Sequence, residues 1–217
     1  MLTSEFFDAL RQREFSRLDA QGVAYLDYTG SALYGASQVA AQREILERSL
    51  FGNPHSEHEA SRASTAVLEA ARRRVLDFLD ADADEYDVCF TANTSAAIKL
   101  VGESYAFDLR RGLVLSADNH NSVNGLREFA RRAGAFVRTL PLDAELRLQD
   151  PTSELDDLAR RQGAGLLAFP AQSNFSGVQH ALELVGEAKR RGFDVLLDAA
   201  AFAPSHPLSL RAVSPDF

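Results

Sequence analysis

The chain has 217 residues, 46% hydrophobic and 25% charged, the balance of an ordinary soluble globular protein. Its 23 basic and 31 acidic side chains leave a net charge of −8, which disfavours nucleic-acid binding through a general basic face. A single cysteine, Cys89, excludes an internal disulfide framework and a thiolate-built zinc site, and with no apolar run of membrane-spanning length and no signal-peptide pattern a cytoplasmic location is expected.

A helix is expected from about Ser4 to Leu18, with Phe6, Phe7, Leu10 and Phe15 or Leu18 on its apolar face. The turn-rich segment YLDYTGSALYG follows at 25–35, and a second helical pattern covers roughly Ser37 to Ser49. Asn53-Pro54 breaks that pattern, because a residue before proline is pushed out of the helical region. A longer helix is predicted over Glu57 to Leu79, where Leu68, Ala71, Val75, Phe78 and Leu79 would share one buried face. Arg72, Arg73 and Arg74 read as its solvated side.

Five short apolar runs, at 87–91, 112–116, 135–140, 165–171 and 194–201, then alternate with helical patterns at Ser95–Tyr105, Ser122–Ala133, Ser153–Arg161 and Leu182–Arg191. Continuous rather than alternating apolar strands, each followed by a helix, predict an α/β fold. The sheet is mostly parallel, has at least five strands and carries helices on both faces, three layers in all. Cys89 lies within the first run and reads as a core residue.

In such a sheet ligands bind beyond the carboxyl ends of the strands, so the loops that follow them carry the functional signal. After the first run, TANTSAA opens a helix. Asn93, Thr94 and Ser95 there suit phosphate binding through hydroxyls and free N–H groups, or simple N-capping. The loop lacks G-x-G-x-x-G and the P-loop lysine, which disfavours a nucleotide site. After the second run, His120 sits where it either caps the next helix or stacks over a flat cofactor. After the fourth, Asn174 and Gly177 mark a tight turn that needs no ligand to explain it. After the fifth, Asp198 ends a central apolar strand, where an unpaired carboxylate is costly; that makes it a functional candidate. Together a phosphate cradle, an imidazole, an asparagine and an acid at one sheet end describe a site for pyridoxal 5′-phosphate.

Other chemistries find less support. His55 and His58 are three apart, but the Asn53-Pro54 loop spoils a shared helix face and no third metal ligand is evident. His180 and His206 fall in loops and are expected to face solvent. No G-x-S-x-G elbow is present for a serine hydrolase.

The segments YLDYTGSAL, GNPHSEHEASR, EYDVCFTANTSAAIKLVGESY, DNHNSVNGLRE, AQSNFSG and VLLDAAAFAPSHPLSL occur in an order that resembles the class V aminotransferase superfamily of fold-type-I enzymes. The likeness is greatest to its cysteine desulfurase and molybdenum cofactor sulfurase branch. The resemblance implies that Thr94, with Asn93 and Ser95, cradles the cofactor phosphate, and that His120 stacks on the ring. Asn174 would lie near the ring hydroxyl and Asp198 would pair with the pyridine nitrogen. Many relatives carry a glutamine three residues after that aspartate; here the position is Ala201.

The resemblance also implies a Schiff-base lysine on a strand that follows Phe217, so no catalytic lysine is assigned within the chain. Lys99 and Lys189, its two lysines, fall within predicted helices and read as solvated. On this reading 1–35 forms an N-terminal helix and site-proximal segment, and 36–217 an incomplete large domain, lacking its last strands and a small domain. The strand at 87–91 would lose its usual neighbours and that at 194–198 would show an open apolar edge. The implied parent reaction acts on a small amino acid, with sulfur transfer from cysteine favoured over another class V aminotransferase or lyase reaction. The isolated chain is expected to bind the cofactor weakly and without a covalent bond, and to be inactive. A homodimer or a complementing C-terminal half is the expected partner. A non-catalytic binding or assembly module that keeps the fold is the alternative.

Overall fold

The computed structural model describes residues 3–28 and 31–217; Thr29 and Gly30 of the turn-rich segment lie outside them. The chain forms two compact units, Met1–Arg73 and Arg74–Phe217. No described helix is long and apolar enough to cross a membrane.

In the first unit, helix α1 (Ser4–Gln21) starts at Thr3, whose side chain accepts from the Phe6 N–H, and stops at Gly22 in the left-handed region (φ 62°). Helix α2 (Ala36–Arg48) is tied to it by Glu14: the Ser37 N–H donates to the carboxylate at 2.9 Å, as does Arg13 Nε. Those bonds, the Ser37 backbone first, lower the Glu14 pKa to about 2. The apolar face expected of α1 is buried only at Leu18; Phe6 and Phe7 are exposed. Helix α3 (Glu59–Phe78), whose residues from Arg74 on belong to the second unit, departs further. Its expected face leaves Ala71 and Phe78 exposed and Leu68 and Val75 only half-buried, while its one fully buried residue is Ser61. Periodicity marks a face able to bury, and burial also requires something packed over it.

The second unit is built on four strands, β1 (Leu113–Ser116), β2 (Val137–Leu140), β3 (Leu166–Pro170) and β4 (Asp194–Asp198). They are all parallel, in the order β2-β1-β3-β4. The expected strand at 87–91 is absent: the segment forms no ladder with any described strand, and a strand exists only through its partner's hydrogen bonds. The edge of β4, expected to be open, is met by the chain itself. Phe217 N–H donates to the Val195 carbonyl at 3.0 Å and Leu197 N–H to the Phe217 carbonyl at 2.9 Å. Lys189 Nζ holds this segment through the Ser214 carbonyl and Asp216, and Tyr86 Oη through the Pro215 carbonyl.

Helices α4 (Thr94–Ser104), α5 (Asn121–Asn124), α6 (Leu126–Arg132), α7 (Pro151–Arg161), α8 (Glu183–Arg190) and α9 (Leu210–Val213) complete the unit. The helix expected over 122–133 is two, meeting at Gly125, and the four-residue α9 is too short to leave a periodic trace. Successive strand residues point to opposite faces. Leu113, Leu115, Leu166 and Ala168 pack with Ile98 of α4 and Leu126 of α6. Val114, Leu167, Phe169 and Val195 pack with Leu155 of α7 and Val185 of α8. β1, β3 and β4 are thus buried on both faces, which is why they read as unbroken apolar runs, while the edge strand β2 leaves Arg138 and Thr139 exposed.

Close backbone packing at the base of the sheet predicts a sharp contrast between two glycines. A Cβ added at Gly165 would lie 2.1 Å from the Gly112 carbonyl oxygen, so Gly165→Ala is expected to destabilise the chain by about 1–3 kcal/mol. Gly186 lies inside α8 with only the tip of Arg190 near it, at 3.4 Å, and Gly186→Ala is expected to stabilise by up to about 1 kcal/mol. Denaturant melts of both variants check the signs.

Candidate functional site

The carboxyl ends of β1, β3 and β4 and the start of α4 carry all six residues singled out from the sequence. At α4, Asn93 is an N-cap: its Oδ1 accepts from the Ala96 N–H at 3.0 Å. The backbone N–H groups of Thr94 and Ser95 and the Thr94 hydroxyl form no hydrogen bond among the described residues. The helix therefore presents two free donors, a hydroxyl and the positive end of its dipole at one point, a donor set suited to a phosphate.

Ser95 links this point to the loop after β1. Its hydroxyl lies 2.6 Å from that of Ser122, which in turn lies 3.0 Å from His120 Nδ1. His120 also accepts from the Ser122 N–H at 3.2 Å and so caps α5. With Nδ1 an acceptor, the neutral ring carries its proton on Nε2. The capping and stacking readings of His120 are compatible, because the cap fixes the ring and leaves its faces open; the residue is exposed.

Asn174 is exposed near the tip of the loop after β3, beside Phe175. Asp198 is half-buried at the end of β4, where its Oδ1 accepts from the Ala200 N–H at 3.0 Å while Oδ2 has no partner among the described residues. A free carboxylate oxygen there suits a cationic N–H.

Two cavities divide four of the six residues between them. One of about 430 Å³ has His120 and Asn174 in its wall, with Asp118, Asn119 and Phe175. The other, about 640 Å³ and largely apolar, has Thr94 and Asp198 in its wall, with Thr91, Ala200 and Cys89. The Ser95–Ser122 contact is the link between the two groups. Cys89 is thus exposed on a cavity wall, not a core residue, because the strand expected to bury it does not form.

His180 also departs from expectation. Its side chain is 3% exposed, and Nε2 lies 2.9 Å from Oδ2 of Asp118, itself 5% exposed. Burial pushes Asp118 up, but the hydrogen bonds from His180 and from the Ser116 hydroxyl outweigh it and hold the carboxyl below its usual range. Beside it Asn119 is buried, with Nδ2 donating to the Ser116 and Ala168 carbonyls at 3.1 and 2.8 Å and Oδ1 without a partner among the described residues. His206 is half-buried, stacked on Phe202 at 4.8 Å and bonded to Ser205 and Gln179. Asp118 and Asn119 were not singled out from the sequence, and His180 was expected to face solvent. The signal that Asp118 and Asn119 offered is a pair of polar residues just after a buried strand, where a side chain needs a partner.

Among the described residues no group of three or more histidines, cysteines or acids could hold a metal ion. His58 lies just before α3 and its Nδ1 accepts from the Ser61 N–H, whereas His55 sits in the left-handed region (φ 68°).

Ligand-type side chains gathered at the carboxyl edge of a doubly covered parallel sheet define an α/β protein of the large-domain, fold-type-I kind. The family model of aminotransferase class-V matches residues 24–217, and the chain belongs to that family. It is similar to molybdenum cofactor sulfurase 3 of Aedes aegypti, with 38% identity over 95% of this chain and 26% of the relative. A cysteine desulfurase from Thermococcus onnurineus NA1 superposes with a TM-score of 0.81 at 26% identity, over 100% of this chain and 52% of the other. The fold is shared with C-DES carrying glycine covalently linked to its PLP cofactor (TM-score 0.75, 18% identity, 94% of this chain and 53% of the other). The chain thus spans about a quarter of the curated relative and half of the solved structures.

The Asp118 contact carries a pH dependence. A carboxyl whose folded pKa is depressed stabilises the fold above its unfolded value, about 3.9, and loses that contribution as pH falls through the lowered one. Asp118→Asn is expected to lower the melting temperature at neutral pH and to flatten its fall below about pH 4. Parallel melts across that range check the slope, and an unchanged acid limb contradicts the assignment.

Proposed function

We propose that this chain is the cofactor-binding portion of a pyridoxal phosphate-dependent enzyme acting on a small amino acid. For the whole protein the favoured reaction is sulfur transfer from cysteine. The observation that carries the reading is the joint presentation of free N–H donors at α4 and the fixed His120 ring, linked through Ser95 and Ser122. Asp198, with one carboxylate oxygen open, adds an acceptor for a cationic N–H. Similarity to molybdenum cofactor sulfurases and cysteine desulfurases supports the sulfur chemistry.

When bound, the cofactor supplies a protonated pyridine ring that acts as an electron sink. Thr94 and the N–H groups of Thr94 and Ser95 would hold its phosphate, and Asn93 would shape that turn as the helix cap. His120 would lie against the ring and Asn174 near its hydroxyl. Asp198 would hold the proton on the pyridine nitrogen, since an adjacent carboxylate favours the charged form.

Both lysines of the chain are engaged by other residues. Lys99 pairs with Glu103 along α4 at 3.3 Å, and Lys189 is held by Ser214 and Asp216 at 2.9 Å. This placement supports a non-covalent complex and is also what keeps a non-catalytic binding module as the second reading. The two differ in whether an added amine in reach of the cofactor restores turnover.

Pyridoxal phosphate titrated into the 217-residue chain is expected to give saturable binding that borohydride does not make permanent. Thr94→Ala and Asp198→Ala are each expected to weaken it roughly tenfold, the size of one lost charge-assisted hydrogen bond. Absorbance titration followed by mass spectrometry reads both results. No binding, or a pyridoxyl group on Lys99 or Lys189, contradicts the reading.

A further inference from the structure

The loops that carry His120 and Asn174 come from different strands, and one buried contact joins them. Asp118 lies two residues beyond β1 and two before His120. Its Oδ1 accepts from the Ser116 hydroxyl at 2.8 Å and its Oδ2 meets His180 Nε2 at 2.9 Å. His180 closes the loop after β3, with its N–H donating to the Ala171 carbonyl at 3.1 Å. That loop is a small hairpin, bridged at Gln172 and Gln179 and by the Ser173 N–H to the Val178 carbonyl at 2.9 Å. Asn174 and Phe175 form its tip. The cavity of about 430 Å³ lies between the two loops, and Asp118 is in its wall.

A carboxylate and an imidazole buried to this degree lose much hydration, and their attraction returns little more than an apolar pair of the same size would. Stability alone is therefore a poor account of them. What a buried hydrogen-bonded pair does supply, and an apolar one does not, is a single fixed geometry. The geometry points to Asp118 and His180 as positioning residues whose contact sets the separation of His120 from Asn174, and with it the width of the slot offered to a flat pyridine ring. Neither need touch the cofactor; each acts through the loop it anchors. The inference rests on the cofactor reading above for the identity of the ring, and on the loop geometry for everything else.

Three variants of the full chain test it: His180→Leu, the double variant Asp118→Leu with His180→Leu, and His180→Gln. The double variant leaves no buried charge unpaired, so it guards against simple failure to fold. The Gln variant keeps a donor for Asp118. Amide hydrogen exchange without ligand is read in residues 117–121 and 172–179. Both loops are expected to exchange roughly tenfold faster in His180→Leu and in the double variant, with β1 and β3 unchanged and His180→Gln close to the parent. Pyridoxal phosphate is then expected to bind roughly tenfold more weakly to the first two variants, while inorganic phosphate binds all of them alike. Exchange that does not rise, or rises in the hairpin alone, overturns the positioning role. So does cofactor binding by the double variant that equals the parent's. If the parent chain binds no cofactor while the two loops still loosen together, the cofactor reading fails and the joint between the loops is upheld.

Discussion

A parallel sheet covered on both faces exposes only the ends of its strands, and the placing of the candidate site follows from that restriction. The strands β1, β3 and β4 bury their side chains on both sides, so a polar ligand meets them only where they stop. The loops at those stops must then be held by something other than the core. Here the holding is done by hydrogen bonds: Asn119 to the Ala168 carbonyl of β3, Asp118 to His180, and Ser122 to both Ser95 and His120. Removing the regular sheet would leave these contacts without a common frame.

The same restriction explains how much could be read from residues alone. Val114, Leu167 and Val195 announce their strands because unbroken apolar runs are what two buried faces require. The helix start at Asn93 is legible from its cap residue, which accepts from an N–H three positions on. His120, Asn174 and Asp198 could be singled out because each lies at or beyond the end of a recognisable strand, and Thr94 because it opens a helix after a cap residue. The strand at 87–91 misled because a run such as DVCFT states a capacity to pair, while pairing depends on a neighbour elsewhere in the chain. His180 misled for a related reason. A loop histidine is ordinarily wet, and its burial here depends on Asp118, 62 positions away in the chain.

Charged side chains also fasten the elements to one another. Tyr105 and Arg111 both bond to Asp194 at the start of β4, at 2.7 and 2.9 Å, which steadies the end of the sheet opposite the candidate site. Glu14 does comparable work in the first unit, where it joins α1 to the start of α2. Against that background two groups stand out at the strand ends: the open oxygen of Asp198 and the free N–H donors at α4. One is anionic and the other binds anions. A ligand with a cationic ring nitrogen and a phosphate answers both, and pyridoxal phosphate has that pairing of charges.

The central claim is that Asp198 holds a proton on the cofactor's pyridine nitrogen. Nitrogen-15 NMR of ring-labelled pyridoxal phosphate bound to the chain tests it most directly. The account predicts a protonated ring nitrogen in the complex that persists well above the pH at which the free cofactor loses its proton, and the loss of that signature in Asp198→Ala. A bound cofactor whose nitrogen titrates as it does free in solution, or is unaffected by Asp198→Ala, contradicts it.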